Sequence, residues 1–181
     1  TGGVPVTVNG ETFSINERYS PEGKRKFRAF WAQYYKQLGM DVQEFKYPTR
    51  HDVGEKEGHN LEAVLPGKVA DSVVVIVHYD SMGSWGKETE NPGVDDDMTG
   101  MAIQLQTAKI LSQYRGHLNY TIRFVAADYE EHQYPGLEGA RKYAQYIKDL
   151  AAKQGFKLIA GMDNEQSGWN CLKDHACGAN V

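Results

Sequence analysis

One histidine and several carboxylates stand at the ends of apolar segments in this sequence, where an α/β protein places its chemistry. They come directly after a predicted strand or just before a predicted helix: His78, residues 95–97, residues 128–131 and residues 163–165. In open α/β sheets, ligands bind in the crevice beyond the carboxyl ends of the strands. We therefore expect these side chains to meet at one edge of a sheet.

So many carboxylates in one crevice indicate a bound cation. Ionised carboxylates repel each other, and a divalent metal offsets that repulsion better than a lysine does. Zinc accepts histidine nitrogen and carboxylate oxygen together, and two zinc ions roughly 3.5 Å apart need a bridging carboxylate, for which Asp96 is well placed. A helix cap or a structural histidine would explain each group alone. Their conjunction favours a metal site with two ions.

Apolar periodicity predicts the elements that position these groups. In chain order they are a helix at residues 20–39 with an aromatic buried face, strands at 43–47 and 60–65 with one solvated face near a sheet edge, a central strand at 72–77, a helix at 101–116, a central strand at 120–127, a helix at 137–155 and a strand at 157–162. Strands that alternate with helices predict right-handed crossovers. The expected fold is α/β, a three-layer α/β/α sandwich with a mostly parallel mixed central sheet.

Composition is that of an ordinary soluble globular protein. The 181 residues are 40% hydrophobic and 11% aromatic with a formal charge of −4 at pH 7, which suits one α/β domain and argues against nucleic acid as a partner. No segment approaches the roughly 20 apolar residues that span a bilayer. The two cysteines, Cys171 and Cys177, are spaced for a small disulfide loop or for two free thiols.

Three motifs resemble those of the M28 zinc peptidases, in the same order and context. They are HYDS at residues 78–81, PGVDDDMTG at residues 92–100 and FVAADYEE at residues 124–131. The resemblance runs from about Asn60 to Gly168, and it rests on the motifs together because each alone would be weak. It implies a zinc-peptidase-like catalytic domain with two Zn2+ ions per complete site.

The resemblance assigns the first metal ligands residue by residue. His78 becomes a ligand of the first zinc, and Asp80 becomes the carboxylate that orients its ring. Asp96 becomes the bridging ligand rather than Asp95, because the family's bridging aspartate stands four residues before the glycine that closes the motif, here Gly100. The family also implies that the peptide bond after this aspartate is cis.

The resemblance assigns different roles to two adjacent glutamates. Glu131 matches a ligand of the second zinc, and Glu130 matches the general base that takes a proton from the metal-bound water. The family's further aspartate ligand lies three residues before a glycine, a place that Glu165 takes before Gly168. Asp163, at the end of the predicted strand, is the alternative ligand, and Glu165 is preferred.

Two further departures from the family follow the glutamate pair. Residues 132–140 are longer and more polar than the family's glycine-rich turn, which implies a different pocket shape. The family's last zinc ligand is a histidine well downstream, and His175 lies too close to Glu165 to match it. Of the other histidines, His132 stands beside the glutamate pair, and three are predicted in loops away from the strand ends: His51, His59 and His117. We therefore expect residues 1–181 to be a single catalytic domain that lacks its C-terminal part or is completed by a second chain.

The family implies a zinc-dependent aminopeptidase, which hydrolyses peptide bonds near a free N-terminus with metal-activated water and Glu130 as general base. The sequence offers no Ser/His/Asp arrangement to support a covalent mechanism. A carboxypeptidase and a glutaminyl cyclase of the same fold are alternatives. A non-catalytic receptor-like domain is a third, and the retention of the metal residues argues against it. The family's members also imply a secreted or periplasmic location.

Overall fold

A computed structural model describes residues 5–49, 55–83, 92–131, 136–165 and 167. Its elements in chain order are β1 (Pro5–Val8), β2 (Glu11–Ser14), α1 (Pro21–Gln37), β3 (Asp41–Pro48), β4 (Glu57–Leu65), β5 (Val69–His78), α2 (Gly100–Ser112), β6 (Tyr120–Ala127), α3 (Glu138–Gln154) and β7 (Leu158–Asp163). An irregular turn, Val94–Thr99, leads directly into α2. The first two strands form a separate antiparallel hairpin.

The central sheet has the strand order β3-β4-β6-β5-β7. β5 lies parallel to both β6 and β7, whereas β4 is antiparallel to both of its neighbours. All strands except β4 therefore point the same way, and the predicted α/β fold with a mostly parallel mixed sheet is confirmed. The register places His78 beside Ala127, so the residues that follow β5 and β6 emerge together at one edge.

Helix α1 begins and buries its aromatic face as its local sequence predicts. The Ser20 hydroxyl accepts a hydrogen bond of 3.0 Å from the Gly23 amide, and proline at the first helical position needs no amide partner. Phe27, Trp31 and Tyr35 recur at helical spacing and are at most 2% exposed. The predicted aromatic stripe is therefore a core face that packs on the sheet beside α2.

Helix α3 covers the opposite face of the sheet. Successive strand residues point to opposite faces. Val75 and Phe124 belong to the core cluster with α1 and α2, whereas their neighbours Val74 and Val125 pack against α3. The three-layer α/β/α arrangement predicted from the sequence is thereby confirmed.

The prediction of a solvated face is wrong for β4. This strand lies between β3 and β6, and its polar residues Asn60 and Glu62 are only 1% and 4% exposed. Each has a buried polar partner: the Asp128 amide donates to Asn60 Oδ1 at 3.0 Å, and Arg123 donates to Glu62 Oε1 at 2.9 Å. The alternating polar residues of β4 therefore belong to a buried network of hydrogen bonds and not to a solvated face, because buried polar groups need hydrogen-bond partners.

The edge strand β7 is exposed along its whole length, including Leu158, Ile159 and Met162. It pairs with β5 on one side, and its carboxyl end reaches the edge where β5 and β6 end. Within the described ranges, no helix is both long and apolar enough to cross a membrane.

Candidate metal centre

Three side chains predicted as metal ligands come together at this sheet edge. The ligand atoms of His78, Asp96 and Glu131 all lie within 4.8 Å of one another, and His78 Nε2 is 2.9 Å from Asp96 Oδ1. They arrive from the end of β5, from the turn before α2 and from the segment after β6. Parallel neighbouring strands end side by side, which is why groups far apart in sequence meet here.

The three consecutive aspartates, at residues 95–97, make different contacts. Asp97 is buried, and its Oδ1 accepts a 2.9 Å hydrogen bond from the Gly100 amide at the start of α2. The carbonyl of Asp95 accepts a hydrogen bond from the Thr99 hydroxyl at 2.8 Å. Asp96 alone joins the histidine cluster, and the peptide bond that follows it is cis, as predicted. Helix capping, which could account for three aspartates before a helix, is thus carried out by Asp97 among the three.

Asp80 links the two halves of the cluster. Its carbonyl oxygen lies 3.2 Å from His78 Nδ1, and its Oδ1 lies 3.5 Å from the same nitrogen. The buried carboxylate also accepts hydrogen bonds of 3.0 Å from the amides of Glu130 and Glu131. The sequence predicted that Asp80 orients the His78 ring, but it did not indicate that Asp80 also holds the glutamate pair.

The electrostatics of the cluster suit a divalent cation. Burial lowers the pKa of His78, but its hydrogen bonds to Asp80 and Asp96 outweigh burial and raise that pKa to about 11. Burial, together with the neighbouring Asp96, raises the pKa of Glu131 to about 7. Carboxylates that crowd in this way favour a shared positive charge. One imidazole nitrogen with two carboxylates is a donor set that zinc accepts, so these residues fit the metal.

Glu130 lies beside the cluster rather than within it. Its Oε2 accepts a hydrogen bond of 3.0 Å from the Leu137 amide, while its own amide is held by Asp80. Tyr129, just before it, has a left-handed backbone with φ of 58°, which turns the chain as it leaves β6. Glu130 thus directly precedes the candidate ligand Glu131 and lines a pocket that His78 also lines.

That pocket combines an aliphatic lining with three carboxylates. It is lined by Ile76, His78, Ala127, Glu130, Leu137, Ala140, Asp163 and Glu165. None of these lining residues, all in the described part of the chain, is a lysine or an arginine. The described lining therefore places three carboxylates beside aliphatic side chains and the His78 imidazole.

Glu165 and Asp163, the rival ligands, both lie in this pocket, and neither belongs to the three-residue cluster. Burial raises the pKa of each carboxyl above its ordinary value, and the His78 charge opposes that rise only in part. Both carboxylates line the same pocket as the imidazole, and the preference for Glu165 stays a prediction.

Separate substitutions distinguish the two. We expect Glu165→Gln to weaken zinc binding by more than the roughly 10- to 100-fold typical of outer-shell changes, because a coordinating oxygen is lost. Asp163→Asn serves as the matched control and should change the zinc dissociation constant little. Competition with a chromogenic chelator measures both. The opposite ranking would make Asp163 the ligand.

The two other histidines in the described part of the chain, His59 and His117, do not belong to the cluster. His59 lies within β4, not in a loop as predicted, and its Nδ1 is 2.8 Å from Glu44 Oε1. His117 follows α2, and its amide donates to the Tyr114 carbonyl. The other histidines and both cysteines that the sequence analysis singled out lie outside the described residues: His51, His132, His175, Cys171 and Cys177.

Two buried cationic side chains that lie behind the site, Lys24 and Arg18, were not predicted from the sequence. Lys24 lies 3.1 Å from the buried Asp128, which directly precedes the turn to the glutamate pair. Arg18 bonds to the chain beside His78. A single basic residue near the start of a helix is usually exposed, so nothing in the local pattern marks either one. An aspartate directly after β6 was the only signal available, since a buried carboxylate needs a cation.

The chain belongs to peptidase family M28. The family's model matches residues 60–170, more than half of the 181 residues. Leucine aminopeptidase 1 from Chaetomium globosum is 26% identical over 165 residues, which cover 79% of this chain and 39% of that relative. Family membership and the cluster of potential metal ligands together support a metallopeptidase.

Solved structures share the fold. A glutaminyl cyclase from an Acidobacteriales bacterium superposes with a TM-score of 0.68 at 21% identity, covering 84% of this chain and 53% of that one. A Zn-dependent exopeptidase from Parabacteroides distasonis has a TM-score of 0.57 at 19% identity, covering 68% and 44%. The chain thus spans about half, or less, of the length of these relatives.

Proposed function

We propose that this chain carries the catalytic site of a zinc-dependent aminopeptidase that holds two zinc ions. The observation that carries the proposal is the meeting of His78, Asp96 and Glu131, with Glu130 in the lining of the pocket that His78 also lines. His78 and Asp96, with Glu165, would hold the first ion. Asp96 would bridge to the second, which Glu131 would hold.

The residues of this chain divide the reaction among them. Bound zinc supplies Lewis acidity, which polarises the scissile carbonyl and lowers the pKa of water. Glu130 accepts the proton of the attacking water and delivers it to the leaving amine, so that no covalent enzyme intermediate forms. Asp80 holds the amides of Glu130 and Glu131 in place, which fixes the base relative to the ligand.

The acidic pocket favours the amino end of a peptide. Asp163 and Glu165 lie beside its aliphatic lining, and one of them is surplus to the proposed ligand set. A carboxylate there attracts the α-ammonium group of an N-terminal residue and repels a C-terminal carboxylate. This supports an aminopeptidase over a carboxypeptidase.

A glutaminyl cyclase is the second candidate. Solved cyclases have the same fold, and cyclisation of an N-terminal glutamine also begins with a free amine, which the acidic pocket would accept. The two activities differ in their leaving group: the amine of the shortened peptide in hydrolysis, which also frees an amino acid, and ammonia in cyclisation. The proposal of peptide hydrolysis therefore needs an assay that separates these products.

A substrate panel tests the reaction. The full natural polypeptide should hydrolyse aminoacyl-nitroanilides with apolar side chains faster than it acts on acidic C-terminal dipeptides or on N-terminal glutaminyl peptides. Release of nitroaniline, amino acid and ammonia is followed in parallel. Ammonia release from the glutaminyl peptide, without hydrolysis of the anilides, would contradict the proposed aminopeptidase activity and support a glutaminyl cyclase.

Metal content tests the site itself. We expect the wild-type protein to retain zinc after dialysis, and His78→Ala to lose most of it, because the imidazole supplies the nitrogen ligand. Elemental analysis at matched protein concentration measures the ratio, and His117→Ala, a substitution beyond the end of α2, is the control. A metal-free wild type would contradict the proposed function.

A further inference from the structure

Arg18 ties together the two chain segments that carry His78 and Asp96. Its side chain donates to three backbone carbonyls: Nε to Tyr79 at 2.5 Å, Nη1 to Pro92 at 2.5 Å and Nη2 to Gly93 at 3.1 Å. Tyr79 immediately follows His78, and Gly93 immediately precedes the turn that contains Asp96. One buried guanidinium thus bridges two segments that meet at the cluster.

The backbone of Arg18 is anchored to the first of these segments. Its amide donates to the hydroxyl of Ser81 at 3.0 Å, and the Ser81 amide donates to its carbonyl at 3.3 Å. Ser81 directly follows Asp80, so the arginine is fixed at the end of β5 by main-chain as well as side-chain contacts. The side-chain bonds of Arg18 to Pro92 and Gly93 therefore start from a backbone that is fixed to the first segment.

Gly93 permits the close approach of the guanidinium. This residue has a φ of 49°, and a Cβ built there would lie 2.7 Å from Arg18 Nη2 and 2.5 Å from the Asp96 carbonyl oxygen. Any side chain at this position would therefore displace either the arginine or the turn.

The geometry requires an arginine rather than any cation. A guanidinium presents its donors in a rigid planar fork, whereas a lysine ammonium is a compact point charge on a flexible stem. Burial lowers the pKa of Arg18 to about 10, opposed by Asp80 and other nearby carboxylates, so the group is charged at neutral pH. Its charge also moderates the repulsion among those carboxylates.

We propose that Arg18 is a positioning residue for the metal site, which sets the spacing of His78 and Asp96 and thereby the affinity for zinc. The inference rests on the proposed function, since it presumes that these residues bind metal. Arg18 belongs neither to the ligand cluster nor to the pocket lining of the described structure, and its side chain bonds to the backbone of the two segments, through which it acts.

Arg18→Lys tests this role because it keeps the positive charge and removes the fork. We expect zinc affinity to fall about 10- to 100-fold, the effect typical of groups that orient metal ligands. Zinc is titrated alone against a competing chelator, at a temperature where circular dichroism shows every variant folded. The matched control is Arg123→Lys, another buried arginine, which bonds to Glu62 and Ser72 and should lose stability without losing zinc affinity.

The outcomes separate this inference from the proposed function. A wild type that binds no zinc contradicts the function, whereas a zinc-binding wild type beside an equally tight Arg18→Lys contradicts the positioning role alone. If Arg18→Lys does not fold, Arg18→Gln takes its place, because it leaves the Gly93 turn unaltered and its shorter side chain cannot donate to both segments at once. Unchanged zinc affinity in that folded variant would also overturn the inference.

Discussion

Replacing Glu130 with glutamine is expected to lower turnover by about 10²- to 10⁴-fold, the usual contribution of a general base, while the zinc content stays at the wild-type level. The amide keeps the size of the side chain and its acceptor for the Leu137 amide, but it cannot take a proton from water. The measurement is kcat on an aminoacyl-nitroanilide in the full natural polypeptide, with elemental analysis of the same sample.

Glu131→Gln is the matched control, since the two residues are adjacent and the substitution is the same. It should lose zinc from the second site, because Glu131 belongs to the cluster of ligand atoms. Excess zinc should restore part of its activity by mass action, whereas no zinc concentration replaces the missing base in Glu130→Gln. If Glu130→Gln loses metal and Glu131→Gln keeps it, the two roles must be exchanged.

Lys24→Met is expected to lower the free energy of unfolding by about 3 to 5 kcal/mol, the cost of removing one partner from a buried ion pair. Lys24 Nζ lies 2.6 Å from Glu55 Oε2 and 3.1 Å from Asp128 Oδ1, and it stands 3.7 Å from the centroid of the Tyr129 ring. Burial lowers the pKa of the lysine, but Asp128 and Glu55 outweigh burial and raise it. Without the ammonium, the buried Asp128 carboxylate has lost its cation.

Urea unfolding at neutral pH measures the loss. The control is Arg25→Met on the same helix, where the pair with Glu22 is more than half exposed on both sides. Exposed pairs contribute only about 0 to 1 kcal/mol, so this variant should unfold close to the wild-type midpoint. Equal losses in Lys24→Met and Arg25→Met would show that the buried network contributes no more than a surface pair.

Much of the fold follows from patterns within a few residues. Ser20 and Pro21 define the start of α1, and its aromatic spacing defines the buried face. Gly155 ends α3 with a left-handed backbone, as a glycine after a periodic segment predicts. The apolar segments likewise predicted β5 and β6 as central strands, and from that followed the meeting of His78 with Glu131.

The tertiary structure alone decided which polar groups are buried and what they contact. Asn60 and Glu62 occupy alternating strand positions that would suit solvent, yet helix α3 covers them. The sequence of β4 contains no signal of that covering helix. The same holds for Asp80, whose bonds to the amides of the glutamate pair span about 50 positions.

Arg18 and Lys24 show most clearly why the contacts of buried polar groups cannot be predicted from local sequence. Their partners at the sheet edge are separated from them by 61 to 104 positions along the chain: Tyr79 and Gly93 for Arg18, and Asp128 for Lys24. Helix caps, turns and apolar periodicity are set by neighbours in sequence, whereas the cost of a buried charge is offset only by groups that folding brings beside it. The sequence by itself therefore determined the class of fold and the meeting of a histidine with carboxylates at the sheet edge, and packing decided which buried cations bond to the segments there.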